Sequence, residues 1–345
     1  MAINFQDSIG KIYKHLGDDE SRRLYVDRLS YSLTNDTYYL KQMFKRTDLY
    51  RKIYDILKSD DSEKYIFGIG LNGKTFADIY EEFHFKGFVD NYVHEEHENL
   101  PVISAEEYIE KYANASIYIS STKYTDEMHQ QLADAGVNEE KIKDIGKLVV
   151  DVWNRQQYFD LPYLKNDKEE PEVFVDGGCF DGSSSVSFSK WAGEAPAFIY
   201  AFEPDSENIK ICNEVLSSVG SINHLLFSKG LWSSECDLRF SRRDNGIGSR
   251  VESDGEIVVP VTSLDSIIND KVTFLKLDVE GAEYEALKGS EKLIKKYKPK
   301  LAVCIYHKKQ DVWEIPELIL SMNEEYKLYV RHYSFSDAET VIYAI

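Results

Sequence analysis

The chain has 345 residues, and at roughly 150 residues per domain this length predicts two domains. Hydrophobic residues make up 43% and charged residues 29%, so the chain can bury a core, and a wholly disordered protein is excluded. Its 41 Lys and Arg against 60 Asp and Glu give a net charge of −19, which argues against nucleic acid or an anionic membrane surface as the main partner.

The first 60 residues are predicted to form a helical segment. Apolar residues recur there at three- and four-residue steps among charged ones, as Ile53, Tyr54 and Leu57 do. From residue 61 to 146 the pattern changes to short β-rich runs that alternate with helical stretches. That alternation predicts a small Rossmann-like α/β domain with a parallel sheet.

A polar segment, 147–171, is predicted to connect this domain to a second β/α series at 172–345. The second series begins with the most informative segment of the chain. A strand at Val173–Asp176 runs into a glycine loop and a helix, and Glu203 lies at the tip of the next strand. Glycines let the backbone approach a ligand, and an acid at the second strand tip can accept hydrogen bonds from two ribose hydroxyls. The loop and the acid together indicate a nucleoside site.

The type of nucleoside follows from the charge of the loop. Asp176 at its start would repel a pyrophosphate but attract the α-amino group of S-adenosylmethionine. We therefore expect S-adenosylmethionine as the cofactor. The predicted cofactor-binding residues are Asp176, Gly177, Gly178, Asp181, Gly182, Glu203 and Pro204.

Three stretches, Asp176–Gly182, Ala201–Pro204 and Phe274–Glu283, resemble the FkbM family of S-adenosylmethionine-dependent methyltransferases. The last of them contains the family's most specific element, Lys-x-Asp-x-Glu-Gly-Ala-Glu. The resemblance covers about 172–345 and implies the class I methyltransferase fold, a seven-stranded and mostly parallel sheet whose last strand is antiparallel. It also implies O-methylation, usually of a hydroxyl on a sugar, a glycan or a natural product.

A hydroxyl acceptor needs a base or a metal to take its proton, because its own pKa lies far above 7. The carboxyl ends of the strands meet at one crevice in such a fold, which makes Asp278, Glu280 and His307 the predicted catalytic residues. His307 has the side chain whose ordinary pKa is closest to neutral. The alternative for Glu280 and Glu283 is a structural one, in which both hold the turn and the helix that follow.

The smaller predicted domain carries a second glycine pattern. Gly68, Gly70 and Gly73 fit Gly-x-Gly-x-x-Gly, and Asp90 follows Gly70 by about 20 residues, as in dinucleotide-binding units. This is a second candidate nucleotide site. The segment also resembles truncated Rossmann-like domains attached to some bacterial sugar methyltransferases, which implies an acceptor-holding or assembly role.

The cysteines are predicted to be free thiols, because no two are spaced as CxxC and no Cys/His group has the spacing of a zinc site. We accordingly expect no metal ligand set. No apolar run approaches the ~18 residues of a membrane span, and the first residues lack the pattern of a secretory signal. Both observations lead us to expect a cytoplasmic protein.

The sequence as a whole predicts an α/β protein with a class I methyltransferase domain, preceded by a smaller helical and Rossmann-like α/β domain. Its expected function is methyl transfer from S-adenosylmethionine to a hydroxyl of a sugar, a glycan or a precursor. Three alternatives stay open: an NAD(P)-linked oxidoreductase that uses the 68–90 motif, a non-catalytic nucleotide-binding scaffold, and methyl transfer to nitrogen or carbon. The expected partner is a hydroxyl-bearing small molecule or glycan, and a homo-oligomer is compatible with the sequence.

Overall fold

The computed structural model describes residues 5–93, 97, 100–155, 157–165, 171–193, 197–218, 223–242, 249–251 and 257–345. These residues divide into two units. The larger unit contains the described residues up to Asn35 together with Asn154–His332 and Glu339–Ile345, and the smaller unit contains Asp36–Trp153 and Tyr333–Ala338. The chain therefore passes from one unit to the other after residue 35, whereas the predicted boundary lies at residue 60.

Four helices cover the start of the chain, in agreement with its periodicity. They are α1 (Phe5–His15), α2 (Asp19–Thr34), α3 (Tyr38–Lys45) and α4 (Asp48–Lys58). The first two helices lie in the larger unit and the other two in the smaller unit. Ile53 and Leu57 of α4 are buried, as their four-residue spacing predicts.

The smaller unit is built on a five-stranded sheet in which every pairing is parallel. Its further elements are β1 (Lys64–Phe67), α5 (Leu71–Ile79), β2 (Gly87–Val89), β3 (Val102–Ile103), α6 (Ala105–Lys111), β4 (Ser116–Ile119), α7 (Thr125–Asp134), β5 (Ile142–Asp144) and α8 (Ile145–Arg155). The strand order is β3-β2-β1-β4-β5, that of a Rossmann-type sheet. Strand β3 has only two residues, too few for a periodic signal in the sequence.

Helix α8 occupies the start of the segment that was predicted to be a connector, so that prediction is wrong for 147–155. The polar composition of the segment hides one apolar face. Ile145 and Val149 are buried and four residues apart, which is the spacing of a helix that packs on a core.

The larger unit is built on a seven-stranded sheet. Its elements after α8 are β6 (Glu172–Gly177), α9 (Ser183–Ala192), β7 (Ala197–Phe202), α10 (Ser206–Ser218), β8 (Asn223–Phe227), β9 (Gly230–Leu231), β10 (Cys236–Arg242), β11 (Ser249–Val251), β12 (Ile257–Thr262), α11 (Leu264–Ile267), β13 (Phe274–Leu277), α12 (Glu283–Lys288), α13 (Glu291–Tyr297), β14 (Lys300–Cys304), α14 (Asp311–Met322), β15 (Leu328–His332) and β16 (Thr340–Ala344). The order is β15-β16-β14-β13-β6-β7-β8, and β16 runs antiparallel to both of its neighbours. This topology confirms the predicted class I methyltransferase fold.

The core of the larger unit includes a group of aromatic rings against the centre of its sheet. Phe174 of β6 stacks on Phe188 of α9 with ring centroids 4.4 Å apart, and Phe274 of β13 meets Phe174 edge to face at 5.5 Å. Strands covered on both faces need such apolar residues. The packing fixes the positions of β6 and β13, whose carboxyl ends form the candidate site.

Helix α2 and the turn before it are attached to β15, at the edge of this sheet. Asp18 caps α2 by accepting a hydrogen bond from the Ser21 N–H at 2.7 Å, and its other oxygen lies 2.7 Å from Arg331 Nη2. The Gly17 N–H donates to the Leu328 carbonyl at 2.8 Å. These contacts cover an edge strand that would otherwise expose backbone hydrogen-bonding groups. No helix among the described residues is both long and apolar enough to cross a lipid bilayer.

Candidate active site

The glycine loop after β6 turns tightly against the tip of β13. Gly178 has φ +76°, and a Cβ atom there would lie 1.9 Å from the Asp278 carbonyl oxygen. Only glycine permits that conformation and that approach together. At the far end of the loop, Asp181 accepts a hydrogen bond from the Ser183 N–H at 2.9 Å and so caps α9. The loop is thereby held at the carboxyl end of the sheet, beside Asp278.

Glu203 lies at the tip of β7, next to the same loop, as the sequence predicts. It is almost fully buried, and this burial raises the pKa of its carboxyl. Its oxygens accept hydrogen bonds from the Phe180 N–H at 3.1 Å and the Asp205 N–H at 2.9 Å. Asn208 Nδ2 also donates to it at 3.4 Å, and because a carboxylate offers about four acceptor positions, about one stays open for a further donor. Pro204, the next residue, is exposed.

Asp176 has a different partner from the one predicted for it. Its side chain is fully buried, one oxygen lies 3.2 Å from Lys276 Nζ, and the other accepts hydrogen bonds from the Ser184 and Ser185 hydroxyls at 2.6 Å each. Strands β6 and β13 pair with Asp176 directly opposite Lys276, which places the two charges on one face of the sheet. The ammonium beside Asp176 in this structure is therefore that of Lys276.

The three predicted catalytic residues come together at the tips of β13 and β14. His307 Nε2 lies 3.6 Å from Asp278 Oδ1 and 3.6 Å from Glu280 Oε2. Glu280 has a left-handed backbone (φ +55°), and its side chain is 57% exposed. The cluster thus has two partly buried members, Asp278 and His307, and an acid that reaches solvent.

Glu283 forms the other side of this cluster and has the structural role left open by the sequence. Its Oε1 accepts hydrogen bonds from the Val279 N–H at 2.9 Å and the Gly281 N–H at 3.3 Å. The same oxygen lies 2.9 Å from His307 Nδ1. Glu283 therefore holds the turn between β13 and α12 and also faces the imidazole.

The electrostatics of the cluster differ from the near-neutral histidine that was expected. Burial by itself lowers the pKa of His307, but the carboxylates of Glu283, Asp278 and Glu280 raise it to about 10. Burial would raise the pKa of Asp278, yet Lys276 and His307 hold it below its usual value. For Glu280, burial dominates and raises the pKa. At neutral pH His307 is an imidazolium among carboxylates, and of the two acids that face its Nε2, Glu280 has the raised pKa and Asp278 the lowered one.

Comparison with known proteins agrees with this architecture. Residues 176–335 match the family model described as "Methyltransferase FkbM domain". This match assigns a methyltransferase FkbM domain to residues 176–335. A crystal structure of methyltransferase FkbM from Methylobacillus flagellatus KT covers 91% of this chain and 100% of its own, at 18% identity and a TM-score of 0.50, a likeness that shows the fold.

Other solved methyltransferases cover about half of this chain. An rRNA methylase from Streptococcus thermophilus covers 51% of this chain and 86% of its own, at 14% identity and a TM-score of 0.34. Aeropyrum pernix fibrillarin, solved with bound S-adenosyl-L-methionine, covers 53% of this chain and 70% of its own, at 14% identity and a TM-score of 0.32. No curated protein matches the sequence.

The FkbM domain also uses residues that sequence reasoning did not single out. The Tyr158 hydroxyl donates to Asp278 Oδ2 at 2.8 Å, and the Tyr306 hydroxyl donates to Asp278 Oδ1 at 3.1 Å. Tyr158 lies in the segment predicted to be a connector, where nothing in the local pattern marks it. Tyr306 directly precedes His307 after β14, so its position in the sequence could have predicted that it lies at the site.

The second glycine loop lies in the smaller unit, and there the acid, Asp90, bonds to the backbone of the neighbouring loops. Asp90 Oδ2 accepts a hydrogen bond from the Ile69 N–H at 3.1 Å, and its Oδ1 accepts from the Tyr92 and Val93 N–H groups at 2.9 and 3.1 Å. Gly73 packs tightly, since a Cβ atom there would lie 1.9 Å from the Gly68 carbonyl oxygen. Asp90 thus stabilises its own loops, and a nucleotide at Gly68, Gly70, Gly73 and Asp90 stays a prediction.

Proposed function

We propose that the FkbM domain transfers a methyl group from S-adenosylmethionine to a hydroxyl of a sugar, a glycan or a glycan precursor. The observation that carries this proposal is the contact between two strand tips. The glycine loop at Gly178 packs on the backbone of Asp278, so a nucleoside on the loop would lie beside the acid–histidine cluster.

The residues of the loop fit a nucleoside with a ribose. Glu203 is buried beside the loop and keeps about one acceptor position open, which suits a ribose hydroxyl. Gly178 and Gly182, with φ of +76° and +85°, let the loop turn tightly so that its backbone can approach a ligand. S-adenosylmethionine supplies the methyl group, which its sulfonium sulfur releases in an in-line displacement.

The chain itself would orient the acceptor and remove its proton. Alignment of the hydroxyl with the methyl group supplies much of the rate in such a displacement. The positive charge of His307 would stabilise the developing alkoxide, and Glu280, whose raised pKa favours protonation, would take the proton and pass it to solvent. Asp278 would hold His307 and receive the two tyrosine hydroxyls.

Calorimetric titration with S-adenosylhomocysteine tests the cofactor assignment. We expect binding to the wild-type protein, and binding weaker by about 1–3 kcal/mol in Glu203→Ala, the usual cost of removing a hydrogen-bonded charged group. Glu203→Gln serves as a milder variant, because it keeps an oxygen for the Phe180 N–H. Asp90→Ala is the matched control, and its affinity for S-adenosylhomocysteine should equal that of the wild type.

NAD is titrated in parallel. If NAD binds and Asp90→Ala abolishes that binding while S-adenosylhomocysteine gives no heat, the oxidoreductase alternative replaces this proposal. Mass spectrometry of products formed from a set of sugars then tests the acceptor. An O-methyl sugar is expected, whereas methyl groups found only on nitrogen or carbon would overturn the hydroxyl assignment.

A further inference from the structure

The acid–histidine cluster has the donor atoms of a cation site. One ligand-type atom from each of Asp278, Glu283 and His307 lies within 4.8 Å of the other two. The three residues come from the tip of β13, the start of α12 and the tip of β14. Because three separate elements hold them, the donors are in place before any ion binds.

Two buried atoms in this cluster have no hydrogen-bond partner among the described residues. They are Glu283 Oε2 and His307 Nδ1. Glu283 is fully buried, and although its Oε1 lies 2.9 Å from His307 Nδ1, the two groups are not aligned as a hydrogen bond. Buried polar atoms are almost always satisfied by protein, water or an ion. Both atoms therefore belong to the cluster of Asp278, Glu283 and His307 and lack a partner that a bound ligand would supply.

The charge balance of the cluster favours a cation as that ligand. Three carboxylates, on Asp278, Glu280 and Glu283, surround a single imidazole. The nearby ammonium of Lys276 is held by Asp176 at 3.2 Å and by the Gly178 carbonyl at 2.7 Å. The surrounding charge is thus negative even when His307 carries its proton.

Further residues orient the donors in the way that outer-shell partners orient metal ligands. Tyr158 and Tyr306 donate hydrogen bonds to both oxygens of Asp278. The Val279 and Gly281 N–H groups hold Glu283 Oε1, while Oε2 is buried with no hydrogen-bond partner among the described residues. This support fixes the direction of two of the three ligands.

We propose that Asp278, Glu283 and His307 bind one divalent transition-metal cation. One imidazole and two carboxylates form a ligand set that suits Mn²⁺ or Zn²⁺. Ca²⁺ is disfavoured, because it prefers sites made of oxygen ligands alone. The proposal rests on the methyl-transfer function given above and deepens it, because the remaining coordination positions would take the acceptor hydroxyl. The cation would lower the pKa of that hydroxyl.

The resulting step is balanced. The O–H bond of the acceptor breaks and its proton passes to the Glu280 carboxylate. The oxygen forms a bond to the methyl carbon while the S–CH₃ bond breaks and its electron pair stays on sulfur. The products are the methyl ether and neutral S-adenosylhomocysteine. Binding of the cation would release the His307 proton to solvent, so that the neutral imidazole ligates the cation and the charge of the cation replaces that of the imidazolium at the developing alkoxide.

Binding of Mn²⁺ to the full-length protein, treated with EDTA and then dialysed, tests this site by electron paramagnetic resonance of the free ion. We expect saturable binding of one Mn²⁺ by the wild type, and binding at least about 10-fold weaker in Asp278→Asn, Glu283→Gln and His307→Gln. Glu285→Gln is the matched control, because Glu285 lies on α12 but pairs with Lys288 at the surface. Its affinity should equal that of the wild type.

The variant at buried Glu283 carries the greatest risk of misfolding. Circular dichroism checks the fold, and Asp278→Asn, at a partly exposed side chain, gives the decisive result if Glu283→Gln does not fold. Absence of saturable Mn²⁺ binding, or equal binding in Asp278→Asn and the wild type, would overturn the proposal.

Titration of the EDTA-treated protein with S-adenosylhomocysteine separates this failure from a failure of the proposed function. If S-adenosylhomocysteine binds but Mn²⁺ does not, the cation site is wrong and methyl transfer stands. If Mn²⁺ binds with the expected pattern and S-adenosylhomocysteine does not, the cation site stands without the methyl donor.

Discussion

The two units of this protein contain similar loops with different surroundings. Each parallel sheet has a glycine loop after its first strand and an acid at the tip of the next, and in each case the acid accepts a hydrogen bond from the loop backbone. Asp90 accepts from the Ile69 N–H in the smaller unit, and Glu203 accepts from the Phe180 N–H in the larger one.

The difference lies at the remaining strand tips. In the smaller unit Ser120 directly follows β4, and its hydroxyl proton is shared between the Phe67 and Gly68 carbonyls, at 3.0 and 3.1 Å, so that it completes the loop itself. In the larger unit Asp278 follows β13 and His307 lies three residues beyond β14, and their side chains approach each other to 3.6 Å. A glycine loop with an acid therefore identifies a type of scaffold, and the groups at the other strand tips decide whether chemistry can occur there.

Replacement of His307 should produce the largest effect on catalysis. We expect His307→Gln to lower turnover by about 100-fold or more, because a positioned charged or proton-transferring group is lost, while the affinity for S-adenosylhomocysteine stays unchanged. His129→Gln is the matched control in the smaller unit, where His129 lies between Asp144 at 2.8 Å and Glu139 at 3.0 Å. If both variants lost turnover equally, the contrast between the two units would be wrong.

Replacement of Asp18 tests how much its contacts with α2 and β15 stabilise the larger unit. Asp18→Ala removes the cap of α2 and leaves the half-buried Arg331 without that carboxylate, so we expect a loss of about 2–3 kcal/mol in the free energy of unfolding. Urea denaturation measures it. Asp19→Ala, which removes only an exposed pair with Arg22, should change stability by less than about 0.5 kcal/mol.

The two loops can be compared directly through their glycines. Gly73→Ala and Gly178→Ala each place a Cβ atom 1.9 Å from a carbonyl oxygen, so both should destabilise their own unit by about 1–3 kcal/mol. Only Gly178→Ala should also weaken binding of S-adenosylhomocysteine. Gly70→Ala is the control, since no atom lies within 4 Å of its Cβ position. Calorimetric scans and ligand titrations would contradict this view if Gly73→Ala reduced ligand affinity as much.

A smaller effect is expected from pH. Burial raises the pKa of Glu203, so on acidification this carboxyl takes up a proton earlier than an exposed glutamate does and loses acceptor capacity for ribose hydroxyls. Affinity for S-adenosylhomocysteine should therefore fall as the pH is lowered toward the ordinary range of a glutamate. In Glu203→Gln the affinity for S-adenosylhomocysteine should be lower and independent of pH over that interval. If the affinity of the wild type and that of Glu203→Gln fell in parallel with pH, the pH dependence would come from a group other than Glu203.

Much of the candidate site was predictable because its signals are local. The strand, loop and helix around Gly177–Gly182 follow one another directly, and the tips of β13 and β14 carry their polar residues at the point where the apolar run ends. Parallel strands place their carboxyl ends together, so Asp278 and His307 could be brought to one crevice by sequence reasoning alone. The near-neutral pKa expected for His307 was wrong. The pKa is raised by carboxylates that come close to the imidazole only in the folded chain, and no local pattern shows this.

The sequence by itself determined the α/β architecture, the two glycine loops and the family of the second one, because periodicity, turn residues and a contiguous motif are written along the chain. Only the tertiary structure decided which partners the charges find. It paired Asp176 with Lys276 through strand register, brought Tyr158 from a polar segment to Asp278, and used Asp90 to hold its own loop. The physical reason is that ion pairs, buried donors and shifted pKa values depend on distances and desolvation between residues far apart in sequence, which no local pattern encodes.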